Sequence, residues 1–301
     1  MELLITSMKL NYFSGKLLCL LLAVSGITAA QSTSCNFNES NSLKAYLKPS
    51  KHTVPLIMAH QGGTENGLPG NSMATFKNTY EKVDCVLLEF DIRMTADSLL
   101  VISHDNELEL RTNGSGLLNQ QSWEKVKNLR LKDSNGKITK YPIPTFQEVL
   151  QWSHDKSLIL IVDKKPETDL AKTISLLRKT NNLNKSVLIC YSLTEAQTAH
   201  KLAPELMLAV GFNSPEHIVA IEKSGIPLEN LLALTPRDLQ EKTFYQKIHD
   251  MNIISSLGTN GNVDTLQITA SKPLYQKISK SGPDIICTDN PILVQSIFKE
   301  F

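Results

Sequence analysis

Val83-Asp84-Cys85-Val86-Leu87-Leu88-Glu89-Phe90-Asp91-Ile92-Arg93 has the make-up of a buried strand interrupted by two acids. Side chains alternate faces along a strand, so Glu89 and Asp91 share one face. Two carboxylates that close repel, and one must take up a proton unless positive charge lies between them. A hard divalent cation meets that need, because it prefers carboxylate oxygens. Taken alone, such a pair favours an edge strand whose acids face water. The flanking segments decide against that reading.

Outward from this stretch, strand and helix patterns alternate. Strands are expected at Val54 to Ala59, Leu99 to Ser103, Leu158 to Val162, Ser186 to Cys190, Leu206 to Val210, Leu231 to Leu234, Ile253 to Leu257 and Asp284 to Thr288. Helical spacing falls between most of them, beginning with Asn71 to Lys82. Thr145 opens another helix with Glu148 three residues on, a capping box. Asp133-Ser134-Asn135-Gly136 has hairpin-turn chemistry. This alternation predicts a parallel sheet, and its length fits a (β/α)8 barrel of the TIM type. A doubly wound open sheet is the alternative, but no Gly-rich dinucleotide loop follows any strand.

In such a barrel, chemistry gathers at the C-terminal ends of the strands. His60, the Glu89/Asp91 pair, His104-Asp105, the pair Asp163 and Lys165, and Asp289 all fall at predicted strand ends. Ionisable groups at several successive ends would each need compensation for partial burial. Together they suggest three carboxylates for a metal, two histidines for proton transfer and a lysine for an anion.

Several motifs then resemble the glycerophosphodiester phosphodiesterase family. They are Ile57-Met58-Ala59-His60-Gln61-Gly62-Gly63, Pro69-Gly70-Asn71-Ser72, Leu88-Glu89-Phe90-Asp91-Ile92, His104-Asp105, Thr112-Asn113-Gly114-Ser115-Gly116, the run from Ile143 to Leu150, and Thr288-Asp289-Asn290-Pro291. The resemblance implies a TIM barrel that uses one divalent cation, Ca2+ or Mg2+, to split glycerophosphodiesters into an alcohol and glycerol 3-phosphate. Glu89, Asp91 and Asp163 would hold the metal. His60 and His104 would be general acid and base. Lys165 and Gln61 would contact the substrate phosphate. The expected substrate is a small glycerophosphodiester or a lysophospholipid, with transient membrane contact as a compatible partner. Two other readings stay open: a lysophospholipase D or sphingomyelinase D-like enzyme giving a cyclic phosphate, and a non-catalytic phosphate or lipid binder.

The chain departs from the family pattern in four places. Gln61 stands where the family usually has Arg, Gly70 where it has Glu, and Asp163 where it has the longer Glu. The usual Trp is missing around Ile254 to Gly258. An uncharged amide cannot make the bidentate phosphate contact of a guanidinium. Glu65 is a candidate to replace the acid lost at Gly70.

The 301 residues are 41% hydrophobic and 20% charged, with net charge +1 and no long basic run, which argues against a nucleic-acid partner. Lys9 and Lys16 precede the apolar run Leu17 to Val24 and small residues ending at Ala30, the pattern of a secretory signal peptide. The expected organisation is a signal peptide at 1–30, a lead-in at 31–53 and one barrel domain at 54–301, in a secreted or periplasmic protein. Cys19 would leave with the signal. Cys85, Cys190 and Cys287 lie in apolar runs where thiols pack as small hydrophobes, so buried thiols are expected there.

Overall fold

The computed structural model describes residues 42–49 and 51–300. The predicted signal peptide and most of the lead-in lie outside the described residues. Nine strands form one sheet: β1 (Leu56–Ala59), β2 (Leu87–Met94), β3 (Leu100–Ile102), β4 (Ile159–Lys164), β5 (Ser186–Ile189), β6 (Met207–Gly211), β7 (Leu231–Leu234), β8 (Ile254–Gly258) and β9 (Ile285–Thr288). β1 pairs in parallel with both β2 and β9, and every stave between them is parallel to its neighbours, so eight strands close into the expected (β/α)8 barrel.

The ninth strand corrects the reading of Leu99 to Ser103 as a barrel unit. β3 runs antiparallel to β2, with Ile92 opposite Ile102 and Met94 opposite Leu100. It is an arm that extends β2 past the barrel rim. Val101 of β3 and the segment after it, through Ile143, build a small core with Leu108, Leu118, Val126, Leu131 and Ile143. The Asp133 to Gly136 turn forms as read, with Lys132 bridged to Ile138 and the Gly136 amide donating to the Asp133 carbonyl at 3.0 Å.

Alternation along the staves sorts side chains into two layers. Leu88, Phe90, Leu160 and Val162 point outward and pack under the helices with Phe76, Phe146, Val149 and Ile174. Met58, Leu87, Ile159, Ile161, Val187, Met207, Leu232, Ile254 and Ile285 fill the lumen, joined by Leu43 and Leu47 at the end of the lead-in. The helix Ser42–Tyr46 belongs to that plug, and Lys44 reaches Asn230, just before β7, at 2.6 Å. The closed end is therefore the N-terminal end of the strands, and the lumen face turns ionic toward the other end. Glu89 and Asp91 continue the row of Leu87, and Asp163 and Lys165 continue that of Ile161.

Helix starts follow local chemistry. Ser72 accepts from the Thr75 amide and begins the helix Met73–Lys82 two residues later than Asn71, the predicted start. Asn71 lies before it at φ 58. Thr145 and Glu148 form the predicted reciprocal cap of Phe146–Ser153. Cys190 is a buried free thiol, as read, and Cys287 is free but half-buried, while Cys85 is disulfide-bonded, which corrects the expectation of a buried thiol there.

The turn after β1 needs glycine. Gly62 sits at φ +82, and a Cβ on it would lie 2.4 Å from the Phe76 ring. Gly62→Ala is expected to cost about 3 kcal/mol or more, through clash and a left-handed backbone. Gly67, at φ +67 with open space around it, should lose only about 1 kcal/mol when changed to Ala. Urea midpoints of the two variants test this contrast, and equal losses would show that the Phe76 contact is not limiting.

Candidate active site

The register of β2 against β4 sets Asp91 directly opposite Asp163. Glu89, Asp91 and Asp163 each offer a carboxylate oxygen, and these oxygens lie within 4.8 Å of one another. Glu89 is 4% exposed and Asp91 1%. Gln61, Asn71 and Lys165 are among the neighbours that orient them. The Gln61 amide donates to Glu89 Oε2 at 2.7 Å. Asn71 Nδ2 donates to Asp91 Oδ2 at 2.7 Å, while its Oδ1 accepts from the Asp91 amide at 3.1 Å. The Lys165 ammonium lies 2.6 Å from Asp91 Oδ1 and 2.9 Å from Asp163 Oδ2.

The three acids together face a single ammonium, so the cluster is short of positive charge. Burial, and then the charge of Asp91, push the Glu89 carboxyl up to about 8. Burial and Asp91 likewise raise Asp163. Asp91 moves the other way: burial acts upward, but Lys165, His104 and the Asn71 bond outweigh it and hold the carboxyl below its ordinary range. A buried all-oxygen donor set with excess negative charge fits a hard divalent cation.

Two histidines flank the acids, each tied through Nδ1 to a carboxylate. His60 Nδ1 donates to Asp289 Oδ1 at 2.7 Å, and the Asp289 amide donates to Asp264 Oδ2 at 2.6 Å. Burial disfavours the His60 imidazolium, but the Asp289 bond and the charges of Glu89, Asp289 and Asp91 outweigh it and hold the ring at about 9. His104 Nδ1 donates to Asp105 Oδ1 at 2.9 Å, and Arg111 Nε holds the other Asp105 oxygen at 2.8 Å. His104 reaches the acids from the hairpin exit rather than from a stave. The Ser103 amide donates to the Asp91 carbonyl at 3.0 Å, and Arg93 Nε donates to the His104 carbonyl at 2.8 Å. In both dyads a carboxylate holds Nδ1 and leaves Nε2 as the working nitrogen.

Two substituted positions fit together. Gln61 has φ 50, and its side-chain oxygen would lie 2.8 Å from a Cβ on residue 70. Gln61 thus occupies space beside Gly70 that a longer residue there would need. A cavity of about 50 Å³ between them and His104 is lined also by Thr64, Asn71 and Arg111. Glu65 does not replace the missing acid. Its carboxylate accepts from the Ile292 and Leu293 amides at 2.8 and 3.0 Å, capping the helix Pro291–Phe298.

Two residues escaped the reading of the chain. Asp264 anchors the Asp289 backbone and the hydroxyls of Thr288 and Tyr275. Tyr191, just past β5, donates its hydroxyl to Asp163 Oδ1 at 2.8 Å. Tyr191 sits at a strand end, the same position that singled out the acids, but a phenol was not counted among the ionisable groups there.

The family model of glycerophosphoryl diester phosphodiesterases matches residues 60–268. A glycerophosphodiester phosphodiesterase of Caldanaerobacter subterraneus subsp. tengcongensis is 27% identical over 246 residues, covering 78% of this chain and 94% of its own. The crystal structure of a glycerophosphoryl diester phosphodiesterase from Parabacteroides distasonis superposes with a TM-score of 0.82 at 29% identity, covering 87% of this chain and 92% of that one. A phosphodiesterase of Oleispira antarctica, solved with the product sn-glycerol-3-phosphate, shares the fold with a TM-score of 0.63 at 19% identity, covering 82% of this chain and 97% of that one.

Proposed function

Since the chain belongs to the glycerophosphoryl diester phosphodiesterase family, a family of phosphoric diester hydrolases, we propose that it hydrolyses small glycerophosphodiesters or lysophospholipids to an alcohol and glycerol 3-phosphate with one divalent cation. The observation that carries this is the convergence of the Glu89, Asp91 and Asp163 oxygens within 4.8 Å, beside the His60–Asp289 and His104–Asp105 dyads.

Glu89, Asp91 and Asp163 would hold the cation, Ca2+ or Mg2+, which when bound neutralises and polarises the phosphoryl oxygens. Asn71 and the Gln61 amide keep two of those carboxylates aimed. Lys165 spans Asp91 and Asp163 and offers its ammonium to a phosphate oxygen at the edge of the cluster. Gln61, lining the cavity beside His104, retains an uncharged amide for the phosphate. One imidazole Nε2 takes the proton of the attacking water, and the other delivers a proton to the departing alcohol oxygen.

Release of glycerol 3-phosphate from glycerophosphocholine, with and without EDTA, tests the reading. Turnover should vanish on chelation and return with Ca2+ or Mg2+. Release that is insensitive to chelation, or none from any glycerophosphodiester or lysolipid, would refute it. A substrate hydroxyl in place of water would give a cyclic phosphate instead. Phosphorus NMR of the products separates the two.

We also propose that the protein is exported, on the strength of the Lys9 to Ala30 pattern and the disulfide at Cys85, a bond that persists in oxidising compartments. Among the described residues no helix is long and apolar enough to cross a membrane. N-terminal sequencing of the mature protein would begin after Ala30 if the signal is cleaved.

A further inference from the structure

We propose that Tyr191 is a positioning residue: its hydroxyl fixes the Asp163 carboxylate as the third metal ligand. The inference rests on the reading of Asp163 as a ligand and adds what holds it in place. Asp163 is the least buried of the three acids, and the only one without a donor from the β1 loop or the Asn71 turn. Its donors are Lys165 and Tyr191. The phenol donates to Oδ1 at 2.8 Å, lies 3.1 Å from Oδ2, and accepts from the Lys165 ammonium at 3.3 Å. Lys165 and Tyr191 therefore bracket the carboxylate, and the phenol links its two holders.

Tyr191 is 52% exposed, so packing alone does not immobilise its ring. A second set of contacts does. The Tyr191 amide donates to Glu195 Oε2 at 2.8 Å. Glu195 Oε1 meets the Lys164 ammonium, also at 2.8 Å. Lys164 is 1% exposed and further donates to the carbonyls of Lys165 and Thr168, each at 3.1 Å. Alternation along β4 sends Lys164 to the face opposite Asp163 and Lys165. The turn after β5 and the start of the helix Leu193–Leu202 thus grip the end of β4 from both faces, through Lys164–Glu195 on the outside and Tyr191–Asp163 at the lumen. A buried ion pair costs desolvation and is weak evidence of stability. Here it fixes the backbone of the residue whose side chain holds the ligand. Partners that orient a ligand typically change metal affinity by about 10- to 100-fold when removed.

Titration calorimetry with Ca2+ and with Mg2+, on chelator-stripped and dialysed full-length protein, tests this with three proteins. Wild type should bind one ion, and Asp163→Asn should bind far more weakly. Tyr191→Phe keeps the ring and should raise Kd about tenfold, with the metal-free melting temperature unchanged and kcat largely recovered at saturating metal. Wild-type affinity in Tyr191→Phe, with binding lost in Asp163→Asn, overturns the positioning role and leaves the metal site standing. A Tyr191→Phe protein that melts lower without metal, in proportion to its loss of affinity, also overturns it, because the residue would then be structural. No binding by wild type would instead remove the metal reading on which the inference rests.

Discussion

Glu89→Gln should make the metal-free protein more heat-stable at pH 8 and at the same time abolish its turnover. The Glu89 carboxyl stands at about 8 against an ordinary 4.5, first because it is buried and then because Asp91 repels its charge. Between those two values the folded protein keeps a proton that the unfolded chain has released. Stability without metal therefore falls as pH rises through that window. His60 adds to the slope. Its ring stands at about 9 against 6.5, so its contribution is present below pH 6.5 and lost as pH rises through 9. Glutamine removes the carboxylate's share, on the order of a few kcal/mol, while its side-chain oxygen can still accept the Gln61 amide.

Melting curves in EDTA at pH 5 and pH 8 check the stability half. Wild type should lose several degrees between the two conditions, and Glu89→Gln clearly less. Ca2+ or Mg2+ at pH 8 should restore wild type and leave the variant unmoved. The loss in kcat/KM should reach about a thousandfold or more, since a ligand of the charge-stabilising centre is gone. A variant that keeps wild-type turnover would remove Glu89 from the site.

Side-chain alternation makes much of this legible in the sequence alone. A period of two is enough to send Glu89 with Asp91, and Asp163 with Lys165, onto one face. Closure of the barrel then brings those faces together, because Asp91 and Asp163 share a register. The third strand was misjudged because an apolar run looks the same as a stave or as a hairpin arm. Connection length held the correction. Five residues separate Met94 from Leu100, whereas a parallel crossover needs about a dozen. Glu65 and Tyr191 were beyond a local reading for a different reason. Their partners lie 227 and 28 residues away, and nothing in a side chain's own neighbourhood tells which distant amide or carboxylate it will meet. The disulfide at Cys85 was missed because an apolar run suits a packed thiol as well as a bridged one.

Replacing His60 or His104 by alanine should each cost about 10²- to 10⁴-fold in turnover of glycerophosphocholine, and the leaving group then tells the two apart. An acid is needed only where the departing alkoxide is poor. With a 4-nitrophenyl diester the leaving oxygen needs no proton, so the variant lacking the acid should recover most of its rate, and the variant lacking the base should not. Placement favours His104 as the acid. Its side chain is 40% exposed, against 24% for His60, so it stands nearer the mouth through which an alcohol leaves. His60 is deeper. Once a cation on the acids offsets the Glu89 and Asp91 charges that help hold its ring at about 9, the Asp289 carboxylate would keep the remaining proton on Nδ1 and turn the Nε2 lone pair outward, as a base requires. Asp289→Asn should therefore reproduce a substantial part of the His60→Ala loss, with either leaving group, because the amide no longer enforces that tautomer. Recovery by His60→Ala instead of His104→Ala would exchange the two roles. Recovery by neither would mean that protonation of the alcohol is not what these imidazoles contribute, and the acid would have to be sought among the other donors at the cluster, with Lys165 the nearest.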